Sequence, residues 1–122
     1  MAKKINLNDY LGHSMDCTCG KEHKTNLKIV DIDKDAVSRL PKHIEALGYK
    51  KPFLVADVNT WAAAGALVAE KLDVADISYK KYIFNEKELI PDEKTLGSLM
   101  MAFSRDCDVI VAVGSGTLND LC

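Results

Sequence analysis

The sequence predicts an α/β fold, a parallel sheet with helices on both faces. Two observations carry that prediction. Apolar runs without alternation, Phe53-Leu54-Val55-Ala56 and Val109-Ile110-Val111-Ala112-Val113, suit strands buried on both sides. Between them, apolar residues recur at three- and four-residue spacing, as on one face of a helix. Strand and helix alternate along the chain, which is the pattern of parallel crossover units.

Residues 1–26 show no clear period and read as an irregular or hairpin-like lead-in. Residues 27–122 read as the α/β domain, incomplete at its C-terminus. Leu27 to Ile32 is the first expected strand. Val37, Leu40, Ile44 and Leu47 then share a helix face. Asp33 or Asp35 is placed to cap that helix and Gly48 to end it, while Pro41 is expected to kink or break it near Leu40. After the 53–56 run, Asn59 or Thr60 is expected to cap a helix whose inner face holds Trp61, Ala64, Val68 and Leu72. Ile77 to Phe84 is the next expected strand. Pro91 suits the first position of a helix, with Asp92 and Glu93 in its first turn and Leu96, Leu99, Met100 and Phe103 as its stripe. Thr117 to Cys122 reads as the first turn of a last helix.

Composition narrows the function. With 16 basic and 18 acidic residues the net charge is -2, so no basic excess points to nucleic acid or an anionic membrane. No apolar run approaches the ~20 residues of a membrane span. Met1-Ala2-Lys3-Lys4-Ile5-Asn6 leads into polar residues, not into an apolar signal core. A cytoplasmic location is expected, with the four cysteines reduced.

Right-handed crossovers bring the C-terminal ends of parallel strands to one sheet edge, where ligands bind. Two strand ends carry suitable residues. Val113 runs into Gly114-Ser115-Gly116 and a helix start, an arrangement in which backbone can approach a phosphate and helical N–H groups can hold it. Asn119 stands where a dinucleotide fingerprint has its third glycine, and the loop follows the last strand, not the first. A tight turn with no ligand is the alternative. At the other end Asp57 could accept hydrogen bonds from ribose hydroxyls. Taken alone, Asp57, Asn59 or Thr60 reads as a helix cap; with a phosphate loop on the same edge, the ribose role is favoured.

A third feature is Cys17-Thr18-Cys19-Gly20-Lys21-Glu22-His23. Thiolates and imidazole ligate zinc, but Cys-x-Cys is tighter than the usual spacing, and a fourth ligand would have to be His13 or a partner's group. Packing or hydrogen bonding is the expected role, with a structural metal site at Cys17, Cys19 and His23 as the alternative. His43 falls on the outer face of its helix, and no nucleophile-and-base pair stands out.

Five stretches together resemble one family. They are Cys17-x-Cys19-Gly20-x-x-His23, Leu47-Gly48-Tyr49-Lys50-Lys51, Val55-Ala56-Asp57-x-Asn59-Thr60, the run from Glu88 through Pro91 to Glu93, and the run from Asp108 through Gly114-Ser115-Gly116-Thr117-Leu118-Asn119 to Asp120. From Asp16 onward the chain resembles the N-terminal region of the sn-glycerol-1-phosphate dehydrogenases, in particular their bacterial branch. These lie within the superfamily of iron-containing alcohol dehydrogenases, glycerol dehydrogenases and dehydroquinate synthases. The resemblance implies a Rossmann-like domain and reversible, NAD- or NADP-dependent reduction of dihydroxyacetone phosphate, a small phosphorylated substrate. Zinc or another divalent metal would polarise the carbonyl. By position, Asp57 would bind the adenine ribose, which favours NAD over a 2′-phosphorylated cofactor. Gly114, Ser115, Gly116, Thr117, Leu118, Asn119 and Asp120 would hold the pyrophosphate.

The family's metal ligands, one aspartate and two histidines, belong to a later helical domain, and His13, His23 and His43 do not correspond to them. The expectation is therefore a chain truncated before that domain and inactive in isolation, with no catalytic residue of its own. Surface left uncovered at Val109 to Val113 and the last helix makes a homo-oligomer plausible. The nucleotide-binding domain of a glycerol dehydrogenase or dehydroquinate synthase remains an alternative. So does a non-enzymatic, metal-dependent binding module.

Overall fold

The computed structural model describes residues 6–15 and 17–122. The polar start at Met1 to Ile5, and Asp16 at the head of the family-like stretches, lie outside the described residues. The chain divides into two compact units, Met1–Ala36 and Val37–Cys122.

In the first unit a 3-10 turn, Leu7–Tyr10, starts where the Asn6 side chain accepts from the Asn8 amide at 3.2 Å. Strands β1 (Ser14–Met15) and β2 (His23–Lys24) pair antiparallel, with Ser14 opposite Lys24 and Met15 opposite His23. None of the described residues up to Ala36 is buried. Residues 27–32 are not the expected strand: they join no ladder, and Leu27 and Ile32 are 58% and 80% exposed. Apolar composition alone does not make a strand without a partner edge and a face to bury. Asp33 then forms a turn, its carboxylate accepting from the Asp35 amide and its carbonyl from the Ala36 amide.

The second unit begins one residue into helix α1 (Ala36–Ala46). It runs unbroken through Pro41, contrary to the expected break. Pro41 is buried, and the hydrogen bonds on either side carry the helix past the one its ring cannot donate. Gly48 ends the helix at φ +84, with Tyr49 donating to the Ile44 carbonyl and Gly48 to that of Glu45, the reciprocal pair of a left-handed C-terminal cap.

Strand β3 (Pro52–Asp57) is buried along nearly its whole length and forms the centre of a three-stranded parallel sheet. A continuous helical rod follows: α2 (Val58–Thr60), a π-helical turn Trp61–Gly65, and α3 (Ala66–Val74). Within the π turn, Gly65 makes room for the Trp61 ring. A β-carbon on Gly65 would lie 2.6 Å from the indole Cε3, and Lys81 Nζ sits 4.6 Å from that ring's centre. Strand β4 is Lys80–Phe84, shorter than the expected 77–84 because Ile77 closes the α3 C-cap by donating to the Leu72 carbonyl. Helix α4 (Glu93–Ala102) is capped by Asp92, whose carboxylate accepts from the Thr95 amide at 2.8 Å. Pro91 therefore precedes the cap instead of opening the helix. Of the stripe's four residues only Leu99 is buried; Leu96, Met100 and Phe103 are exposed, although the Phe103 ring meets Phe53 edge-on. Strand β5 (Val109–Ala112) and helix α5 (Gly116–Leu121) complete the unit.

The strand order is β4-β3-β5. Alternate residues of β3 serve opposite faces. Phe53 and Val55 pack with Leu99 of α4 and with Leu118 and Leu121 of α5, whereas Leu54 packs with Ile44 of α1 and with Val68, Ala69 and Leu72 of α3. Helices thus cover both faces, which is the Rossmann-like arrangement expected.

Candidate functional site

The helices leaving β3 and β5 diverge. The rod after β3 goes to the Leu54 face, and α5 after β5 goes to the Phe53 face. These strands are neighbours, so their C-terminal ends border a split in the sheet edge. Parallel α/β sheets bind ligands at such a reversal of strand order.

On one side of the split is Asp57, with the extended backbone of a helix N-cap. Its Oδ1 accepts from the amides of Asn59 and Thr60, both at 2.8 Å, and the Thr60 hydroxyl accepts from the Asp57 amide at 3.0 Å. The cap is Asp57, with Thr60 as its reciprocal partner, not Asn59 or Thr60 as the primary cap. Among the described residues no hydrogen bond reaches Asp57 Oδ2, so one carboxylate oxygen remains for another donor. Asn59 donates instead to the Lys87 carbonyl at 3.2 Å and ties the loop after β4 to this edge, a contact no local pattern announces.

On the other side is the glycine loop. Neither Gly114 nor Gly116 has positive φ, so unusual dihedrals are not the reason for glycine here. Gly114 is needed for packing, because a β-carbon would stand 2.2 Å from Leu118 Cδ1 and 3.1 Å from Thr60 Cγ2. A β-carbon on Gly116 would meet nothing within 4 Å. Ser115 occupies the cap position of α5, yet its side chain makes no capping bond, in contrast to Asp57 and Asp92. Gly114, Ser115, Gly116, Asn119 and Asp120 are exposed, Thr117 is half-buried, and the Leu118 side chain is buried in the core. Only the backbone of Leu118 is available at the edge.

The opposite edge is built differently. Asp106 accepts from Lys51, from Lys80 at 3.0 Å and from Ser104. Lys51 and Ser104, and then Lys80, hold its carboxyl well below the usual range. Asp108 accepts from the Lys51 and Lys50 amides at 2.9 and 2.8 Å, and these hold it low too. A cavity of about 550 Å³ opens here against Phe53, Tyr79 and Lys80. It lies at the strands' N-terminal ends, away from the split, where this fold does not place ligands.

In the first unit Cys17, Cys19 and His23 converge. Cys19 Sγ is 3.0 Å from His23 Nε2, and the Cys19 amide donates to Cys17 Sγ at 3.5 Å, lowering the Cys17 thiol from its ordinary value. All three are exposed, so of the two roles expected for them hydrogen bonding is seen and packing is not.

A parallel sheet covered by helices on both faces, with Asp57 and the glycine loop at the C-terminal ends of neighbouring strands, defines a Rossmann-like α/β domain. Residues 31–122 match the iron-containing alcohol dehydrogenase family, and the chain belongs to it. It is 36% identical over 110 residues to glycerol-1-phosphate dehydrogenase (NAD(P)+) of Halalkalibacterium halodurans, covering 87% of this chain and 28% of that protein. The protein of the same name from Geobacillus stearothermophilus is 26% identical over 119 residues, covering 94% and 30%. That from Bacillus velezensis is 33% identical over 93 residues, covering 74% and 24%. The chain thus spans less than a third of the curated relatives it matches, and their names agree with the family resemblance read from its motifs. No helix among the described residues is long and apolar enough to cross a membrane.

Proposed function

We propose that the chain is the NAD(P)-binding portion of a glycerol-1-phosphate dehydrogenase, an oxidoreductase interconverting dihydroxyacetone phosphate and sn-glycerol 1-phosphate. The observation that carries this reading is the split between β3 and β5, with Asp57 on one lip and Gly114-Ser115-Gly116 on the other. Family membership and the names of the relatives support it.

The residues fit such a cofactor. Asp57 holds its helix with Oδ1 and offers Oδ2 to the adenine ribose hydroxyls. The carboxylate repels a 2′-phosphate, so NAD is preferred to NADP. The open side of Gly116 and the uncapped first turn of α5 receive the pyrophosphate through backbone N–H groups. When bound, the nicotinamide supplies or accepts the hydride. Turnover of the phosphorylated substrate, and the divalent metal it uses, are proposed for the whole protein. Among the described residues the one group of three converging metal-ligand side chains is that of Cys17, Cys19 and His23, which lies outside the Val37–Cys122 unit. This chain's share is to bind and orient the cofactor.

Calorimetric titration with NADH and NADPH tests the reading, with Asp57→Ala and Gly116→Val as controls. Binding by the unaltered chain, tighter for NADH and lost in both variants, is the expected result. Equal heats in all three proteins would contradict it.

A further inference from the structure

We propose that Cys17, Cys19 and His23 bind one zinc ion through two thiolates and an imidazole, leaving a fourth position to water or an added ligand. Their three donor atoms all lie within 4.8 Å of one another. Bonds of about 2.3 Å to sulfur and 2.0 Å to nitrogen put tetrahedral ligands roughly 3.5–3.8 Å apart, so small side-chain shifts close the group around an ion.

The backbone sets up this convergence. Gly20 donates to the Cys17 carbonyl at 3.1 Å and sits at φ +77, a conformation costly for any residue with a β-carbon. The turn compensates for the tight Cys-x-Cys spacing by bringing both sulfurs to one place. The β1–β2 ladder supplies the third donor, since Met15 opposite His23 fixes where the imidazole starts. His13 is not among the converging donors.

Energetics point the same way. The hairpin's strands are two residues each, and none of the described residues in this unit is buried. Such a hairpin is marginal by itself, and a metal is one of the few staples for a unit with no core. Two thiolates with one imidazole suit zinc and disfavour the oxygen-seeking magnesium and calcium. The cysteines are unpaired, so both sulfurs are available. Loading the ion releases the two thiol protons, and binding weakens as pH falls.

The test uses the full chain, reduced and stripped of metal. Zinc is titrated against a chromophoric chelator, and cobalt(II) is titrated with absorption as readout. One ion per chain is expected, and cobalt should show thiolate charge transfer with the intense visible bands of a tetrahedral site. Cys19→Ser and His23→Gln should each weaken binding by more than about tenfold, while Cys122→Ser leaves it unchanged. On the unaltered chain, zinc should slow alkylation of Cys17 and Cys19 but not of Cys122, which needs no variant to fold. No stoichiometric ion, unchanged binding in Cys19→Ser and His23→Gln, or alkylation indifferent to zinc would overturn the assignment. NADH titration of the same samples is a separate readout and is expected to be independent of zinc.

Discussion

Gly114 lies against Thr60: a β-carbon at position 114 would stand 3.1 Å from Thr60 Cγ2 and 2.2 Å from Leu118 Cδ1. Leu118 is 1% exposed and packs in the core with Phe53, Val55 and Leu121. Gly114→Ala should therefore destabilise the fold by about 1–3 kcal/mol, as overpacking does. Gly116→Ala, with open space at its β-carbon, should change stability by less than about 0.5 kcal/mol. Urea midpoints at constant slope separate the two; similar losses at both positions would mean that the loop's glycines serve one structural purpose.

Asp57 carries a capping role and a proposed binding role, and two substitutions divide them. Asparagine caps helices as well as aspartate, whereas alanine costs about 1 kcal/mol. Asp57→Asn should keep the urea midpoint of the unaltered chain and still lose NADH affinity. Asp57→Ala should lose both. Full NADH affinity in Asp57→Asn would reduce this residue to a cap.

Stability should fall in acid through Asp106 and Asp108. Both carboxyls are held below their ordinary range in the folded chain. Their contribution is thus complete above the unfolded value of about 3.9 and is lost progressively as pH drops below it. Asp106 is itself exposed and faces the amines of half-buried Lys51 and exposed Lys80, so raised salt should weaken its share. Asp108 is held by backbone amides and should be less sensitive to salt. Asp106→Asn should flatten the salt dependence of acid unfolding, and Asp108→Asn should leave that dependence in place.

Trp61 is the single tryptophan, and Gly65 makes room for its ring. Gly65→Ala should shift the fluorescence maximum and destabilise the chain by about 1–3 kcal/mol. An unchanged spectrum would show that the indole does not depend on that gap.

Asp76 holds a left-handed conformation, φ 56, at the end of α3. Glycine adopts it without the cost of a β-carbon. Asp76→Gly should raise stability by about 0.5–1 kcal/mol in thermal or urea unfolding, and a loss would point to a contact made by the carboxylate.

The parts that local chemistry governs were the legible ones. The 53–56 run announces a strand covered on both faces, and Gly48 announces a helix end. Asp57 and the glycine loop announce themselves as strand ends. What sequence could not show is which strands are neighbours. That β5 lies beside β3, and so faces the glycine loop towards Asp57, follows from crossovers that no local window contains. The Asp106 network is equally invisible, because Lys51, Lys80 and Ser104 come from distant segments. Residues 27–32 misled because their apolar content resembles a strand's, while pairing depends on a partner edge. Nor does helical periodicity register the π turn, in which the Trp61 ring sits on Gly65.

The central position of β3 has a consequence for synthesis. Its first neighbour begins at Lys80 and its second only at Val109. At roughly 5–20 residues per second, Phe53-Leu54-Val55-Ala56 leaves the ribosome seconds before β5 exists to shield its second side. Of the three sheet strands, the central one therefore waits longest for its closure. That interval, more than the finished sheet, is where a chaperone would find its grip.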